Sequence, residues 1–156
     1  MFPVNFLTLE RINCRNGAAS KKRALEEMGK LLASVEPEIT PEQVFDHLLE
    51  RERLGSTGLG HGVALPHARI KGLNQACGAF IQLENGIDYD AIDGAPVDLI
   101  FGLLVPYDAT QEHLQLLATL ASLFSDEGFR QRLRTAPDCA AVMNLLHAEE
   151  QHRESA

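Results

Sequence analysis

The stretch Gly55-Ser-Thr-Gly-Leu-Gly-His-Gly-Val-Ala-Leu-Pro-His-Ala-Arg-Ile-Lys-Gly72 organises the chain around it. Gly55, Gly58, Gly60 and Gly62 crowd its first half, and a short apolar run, Val63-Ala64-Leu65, follows. Glycine permits positive φ and close backbone approach. Pro66 fixes its own φ and drives Leu65 into an extended conformation. The pattern predicts a mobile glycine loop, a short strand, and a rigid step that delivers His67 to the end of that strand. The glycines are expected to leave room for a partner to come close.

Charge around this stretch points the same way. The chain carries 22 acidic residues against 14 Lys and Arg, a net charge of −8. That balance argues against nucleic acid or an anionic membrane as the main partner. From Arg53 to Leu83 there is nevertheless no Asp or Glu, while Arg53, Arg69, Lys71, His61 and His67 all lie there. An acidic chain that keeps acid away from its most constrained histidine predicts an anionic ligand at that histidine.

Length and composition set the frame. The 156 residues, 45% of them apolar, predict a single domain, residues 1–156, with its core at about 9–148 and a polar, frayed tail at 149–156. No apolar run approaches the roughly 20 residues of a membrane span. Met1 to Leu7 lacks the basic start and long apolar stretch of a signal peptide, so a cytoplasmic location is expected. Cys14, Cys77 and Cys139 are widely spaced and form no CxxC, which predicts buried free thiols.

Upstream of the glycines, a helical turn and a strand around 12–15 precede two helices. Ser20 reads as an N-cap, and Leu25, Met28, Leu32 and Val35 repeat at helical spacing up to Pro37. Thr40-Pro41-Glu42-Gln43 reads as an N-cap, a proline at the first helical position and a capping box. Val44, Phe45, Leu48 and Leu49 face inward on this second helix. Arg51 follows Val44 by seven positions, which at ~100° per residue returns it to within about 20° of the apolar stripe. Its guanidinium is predicted to reach the glycine loop and to want an anion, a carboxylate or a phosphate. Arg53 lies on the far face and complements the helix dipole. His47 reads as uninvolved.

Downstream, Cys77 to Leu83 reads as a strand closed by a turn at Glu84-Asn85-Gly86. Asp88, Asp90 and Asp93 read as a solvated loop. Val97 to Pro106 reads as a central strand, apolar on both faces. A helix capped by Asp108 or Thr110 then runs to Phe124, apolar nearly all round and so expected to be largely buried, with His113 in its first turn. Its N-terminus disfavours imidazolium and attracts anions. Helices from about 126 to 134 and 138 to 148 follow, and His147 and His152 read as uninvolved. The sum is an α/β fold with a mixed β-sheet.

Several chemistries fit poorly. No Gly-Lys-Ser/Thr completes a phosphate-binding loop, and Gly58-x-Gly60-x-Gly62 leads into a strand instead of the helix a dinucleotide site needs. His61 and His67 lack metal-ligand spacing, and no nucleophile elbow is present. No cofactor and no metal are expected. A histidine nucleophile remains: imidazole is neutral near pH 7, and phosphoryl transfer asks mainly for positioning and charge stabilisation.

Arg51-Glu-Arg-Leu-Gly-Ser-Thr-Gly-Leu-Gly-His-Gly-Val-Ala-Leu-Pro-His67 resembles the phosphorylation-site signature of enzyme IIA proteins of the phosphotransferase system, the fructose/mannitol group, and most closely the nitrogen-regulatory type. Asp93 to Phe101, Leu103-Leu-Val-Pro106 and His113-Leu-Gln-Leu-Leu117 extend the resemblance in family order. It implies a mixed β-sheet flanked by helices on both faces. It implies His67 as phosphoryl acceptor, Arg51 and His113 as supporting residues, an HPr-like phosphocarrier as donor, and regulated target proteins as partners. His61 stands where relatives often have Asn and is expected at the pocket rim. Weak self-association is allowed; membrane insertion is not expected. The chain shows no IIB or IIC segment, which favours regulation. The other readings are a sugar-uptake IIA that passes phosphate to a separate IIB, and a binding module in which His67 carries no phosphate.

Overall fold

The computed structural model describes residues 2–155, and side-chain surroundings as far as 152; Met1 and Ala156 lie outside the described residues. A single helical turn, Leu9–Arg11, leads into strand β1, Ile12–Asn16. Helices α1, Lys21–Ala33, and α2, Pro41–Arg53, follow. Both start as their sequences predict. Ser20 Oγ accepts from the Arg23 amide at 3.1 Å. Thr40 and Gln43 satisfy each other's amides reciprocally, at 3.1 and 2.9 Å.

Four strands come next: β2, Gly58–Gly60; β3, Val63–Ala64; β4, His67–Ile70; and β5, Cys77–Ile87. Strand β6, Val97–Pro106, is the central strand predicted. Helices α3, Thr110–Phe124, α4, Glu127–Thr135, and α5, Cys139–Ser155, complete the chain. The sheet order is β1-β5-β6-β3-β2, with β4 also paired to β6. β5 runs antiparallel to β6, whereas β3 and β4 run parallel to it, so the sheet is mixed.

Alternation along the strands separates two cores. On β5 and β6, Ala79, Ile81, Ile100 and Leu104 pack with Leu25, Met28, Val44 and Leu48 of α1 and α2. Phe80, Leu99, Phe101 and Leu103 pack with Leu116, Leu120, Phe129 and Val142 of α3, α4 and α5. Helices therefore cover both faces, as expected.

Several boundaries differ from the sequence reading. Gly58–Gly60 is no mobile loop, since it pairs antiparallel with β3. β5 continues through Glu84-Asn85-Gly86, where a turn was expected; a register shift between Gln82 and Ile87 absorbs these polar residues within the strand. α3 is capped by neither Asp108 nor Thr110. Its N-cap is Ala109, without a side-chain bond. Nor is α3 largely buried, for Leu114 is 63% exposed. α5 runs on through Ser155, so residues 149–155 are helical where a frayed tail is expected, and Ala156 lies outside the described residues. The cysteines are free, Cys77 buried and Cys14 and Cys139 partly so. No described helix is long and apolar enough to cross a membrane.

Candidate active site

His67 opens β4 instead of ending the strand before it. β3 pairs with β6 at Leu99 and Ile100, and β4 pairs with the same strand at Leu103 to Pro106. They are two pieces of one line, interrupted at Leu65-Pro66, where proline has no N–H to give. Leu65 donates its own amide to Thr57 O at 3.0 Å, away from the β6 ladder. The interruption leaves the Leu65 carbonyl for a side chain, and His67 Nδ1 lies 2.8 Å from it. A carbonyl only accepts, so Nδ1 carries the proton and Nε2 keeps its lone pair.

Three of the four glycines before this step serve internal packing, and only Gly55 has open space beside it. A Cβ on Gly58 would lie 2.8 Å from Ala91, and one on Gly60 3.3 Å from Asp93. Gly62 has φ +81°, and a Cβ there would run into the Arg134 guanidinium. Arg134 Nε and Nη2 grip Asp98 at 2.9–3.2 Å, and Nη2 also donates to His61 O at 2.9 Å. Asp93, read as a solvated loop residue, accepts the His61 amide at 2.9 Å and the Ala95 amide at 3.1 Å. The expectation of room for a partner at the glycines is therefore replaced by a clamped turn.

His67 lies in an open cleft of about 510 Å³ at the sheet edge, between the C-terminal end of α2 and the N-terminal end of α3. Arg51 and Leu54 line it from the α2 side, Thr110, His113 and Leu114 from the α3 side, and Arg69 and Tyr107 close the far end. The His67 and His113 ring centroids are 5.1 Å apart at an interplanar angle of 68°. The structure thus brings together Arg51, His67 and His113. It does not bring His61, which is exposed on the β2–β3 turn at φ +58° and lies outside the cleft wall. His47, read as uninvolved, stands on the rim, its ring Nδ1 2.8 Å from Gln43 O.

The site is poor in hydrogen-bond partners. Arg51 bonds within the protein to Gly55 O, at 2.8 Å. Among the described residues two buried side-chain polar atoms lack a partner, and one is His113 Nε2. Burial holds the His67 pKa below the ordinary histidine value, and the Arg51 charge adds to this against the opposing Leu65 bond and Glu52 charge. His113 is pushed down to about 4, first by burial and then by His67, Arg69 and Arg51. Both rings are neutral near pH 7. Among the described residues no group of three or more His, Cys, Asp or Glu is arranged to hold a metal.

Sequence reasoning missed Glu52. Its carboxylate is buried and meets Lys21 Nζ at 2.9 Å, the Thr57 amide at 3.1 Å, the Thr57 hydroxyl, and Tyr89 OH at 3.5 Å. This cluster ties the end of α2 to the start of α1 and to the glycine stretch. The signal was present: Val44, Leu48 and Glu52 stand four residues apart on one helix face.

Comparison with known proteins places this geometry. The chain is 46% identical over 127 residues to a nitrogen regulatory protein of Pseudomonas aeruginosa, covering 81% of this chain and 82% of that protein. Its fold matches the crystal structure of nitrogen regulatory protein IIA-Ntr from Neisseria meningitidis with a TM-score of 0.86 at 46% identity, over 90% of this chain and 96% of that one. It matches the structure of IIA mannitol from Escherichia coli with a TM-score of 0.75 at 26% identity, over 90% and 98% of the two chains. Residues 5–149 match the family model described as phosphoenolpyruvate-dependent sugar phosphotransferase system, EIIA 2, and the chain belongs to that family.

Proposed function

We propose that this chain is a phosphoryl carrier of the nitrogen-regulatory phosphotransferase type, taking phosphate from an HPr-like phosphohistidine onto Nε2 of His67 and acting in the cytoplasm as a regulatory switch. The observation that carries this is the pairing of two neutral imidazoles in one cleft, with His67 Nε2 left as a lone pair and His113 Nε2 left without a partner. The nitrogen-regulatory relatives support the regulatory assignment.

Each group has a role in the transfer. His67 Nε2 attacks the phosphorus; an N–P bond forms here as the carrier's N–P bond breaks and its imidazole leaves. Leu65 O holds the Nδ1 proton while the His67 ring takes on positive charge. Arg51 meets charge spread over the phosphoryl oxygens. His113 makes no hydrogen bond to His67, so its part is to donate to a phosphoryl oxygen, and as a neutral ring it does so without repelling His67. The phosphoryl group adds about −1.5 to −2 charges to the cleft. That changes which target surface it fits.

Incubation with phosphoenolpyruvate, enzyme I and an HPr-type carrier tests the reading by mass spectrometry. An acid-labile single phosphoryl adduct is expected on the wild type and none on His67→Ala. No adduct on the wild type, or an adduct that survives His67→Ala, contradicts it.

A further inference from the structure

We propose that Arg69 is a second guanidinium for the phosphoryl group, one that stabilises the phosphorylated state and so draws phosphate from the carrier onto this chain. This rests on His67 as acceptor.

Arg69 is placed by the same strand that places His67. Alternation along β4 sends Ala68 and Ile70 into the core under α1 and α2. His67 and Arg69 take the other face, in register with Leu103 and Val105 of β6, which pack under α3. Arg69 Nη1 donates to Thr110 Oγ1 at 3.0 Å and reaches Tyr107 O at 3.4 Å. Thr110 is the first residue of α3, three before His113. The side chain therefore spans from the acceptor strand to the start of the helix that carries the second histidine, in the cleft that Arg51 also lines.

Its partners are all neutral. Among the described residues Arg69 pairs with no carboxylate, although the chain holds 22 acids. The Tyr107 ring lies 5.5 Å from its Cζ and is shared with Lys71 Nζ at 5.1 Å. A guanidinium resting on a hydroxyl and a long carbonyl contact gives these up readily for a phosphoryl oxygen. One arginine fork meets two oxygens, and a phosphoryl group presents three. Arg51 and Arg69 line the same cleft as His113, so the three together can meet all of them. The charge of Arg69 also reaches His113, where it helps hold the ring neutral.

The test is the equilibrium constant for phosphoryl exchange with the carrier. An equilibrium depends on the two end states, so a cation that merely steers the carrier alters the rate and leaves the constant alone. Arg69→Gln is expected to lower the constant about tenfold, with part restored by Arg69→Lys, which keeps the charge without the fork. The melting temperature should stay unchanged. In the unphosphorylated protein, NMR titration should show His113 protonating at higher pH in Arg69→Gln. An unchanged constant, with or without a slower rate, overturns the proposal. A wild type that takes no phosphate removes the acceptor reading itself, and leaves no exchange to measure.

Discussion

Glu52 and Arg51 are neighbours at the end of α2, and their surroundings are opposite. Glu52 is closed in: its side chain is 3% exposed, and Lys21, Thr57 and Tyr89 occupy its oxygens. Arg51 is left open, with a single bond to Gly55 O, beside a His113 nitrogen that has no partner. A buried polar nitrogen without a partner costs free energy, so one left at the wall of a cleft beside an arginine marks a place for a ligand. The closed cluster fixes where α2 ends. The open one uses that fixed end.

The comparison can be broken at its closed side first. Glu52→Ala removes the carboxylate that pairs with Lys21 and leaves the buried Thr57 amide without its acceptor, and is expected to cost about 3 kcal/mol in urea unfolding. A loss under about 1 kcal/mol would show that the cluster does not hold the end of α2. Next comes the clamped turn. Gly62→Ala places a Cβ at positive φ against Arg134 and should cost about 2 kcal/mol. A neutral result would mean that Arg134 is free to leave Asp98.

The open side should respond in the reverse sense. Arg51→Gln is expected to change stability by less than about 0.5 kcal/mol. Its rate of phosphate uptake should nevertheless fall about a hundredfold, measured by rapid-quench transfer from the carrier. A variant that unfolds readily, or one that transfers normally, would place Arg51 with Glu52 among the structural groups.

The smallest expected effect is in pH dependence. The folded His113 pKa, about 4, lies below the ordinary histidine value of 6.5, so the unfolded chain takes up the proton first. Stability is full above about pH 6.5 and falls as the pH drops from there toward 4. His113→Gln should make melting temperature against pH flatter across that window. An unchanged slope would mean that His113 is freely solvated.

What the sequence made legible was local. Ser20 and the Thr40/Gln43 box announce their helices because capping is settled within four residues. The apolar run of β6 declares itself by composition. Helical spacing pointed Arg51 at the glycine loop and composition put His113 at a helix start, but both needed the family resemblance to stand as site residues. The misses are non-local. Gly58–Gly60 becomes a strand because β3 folds back on it. The partners of Glu52, Lys21 and Tyr89, lie 31 and 37 positions away in sequence, so periodicity could place the carboxylate on the buried face but not say what met it there. His61 was expected at the rim from its place in the family signature; Asp93 and Arg134 bond its amide and carbonyl, and hold it on an exposed turn outside the cleft.

Phosphate is expected to arrive at the open side, on one nitrogen. Phosphorus–nitrogen correlation NMR on the phosphorylated, nitrogen-labelled protein tests this most directly. The Leu65 carbonyl at 2.8 Å occupies Nδ1, so the phosphoryl group should sit on Nε2 of His67 with the Nδ1 proton retained. Phosphate on Nδ1, or on His113, would contradict transfer to His67 Nε2.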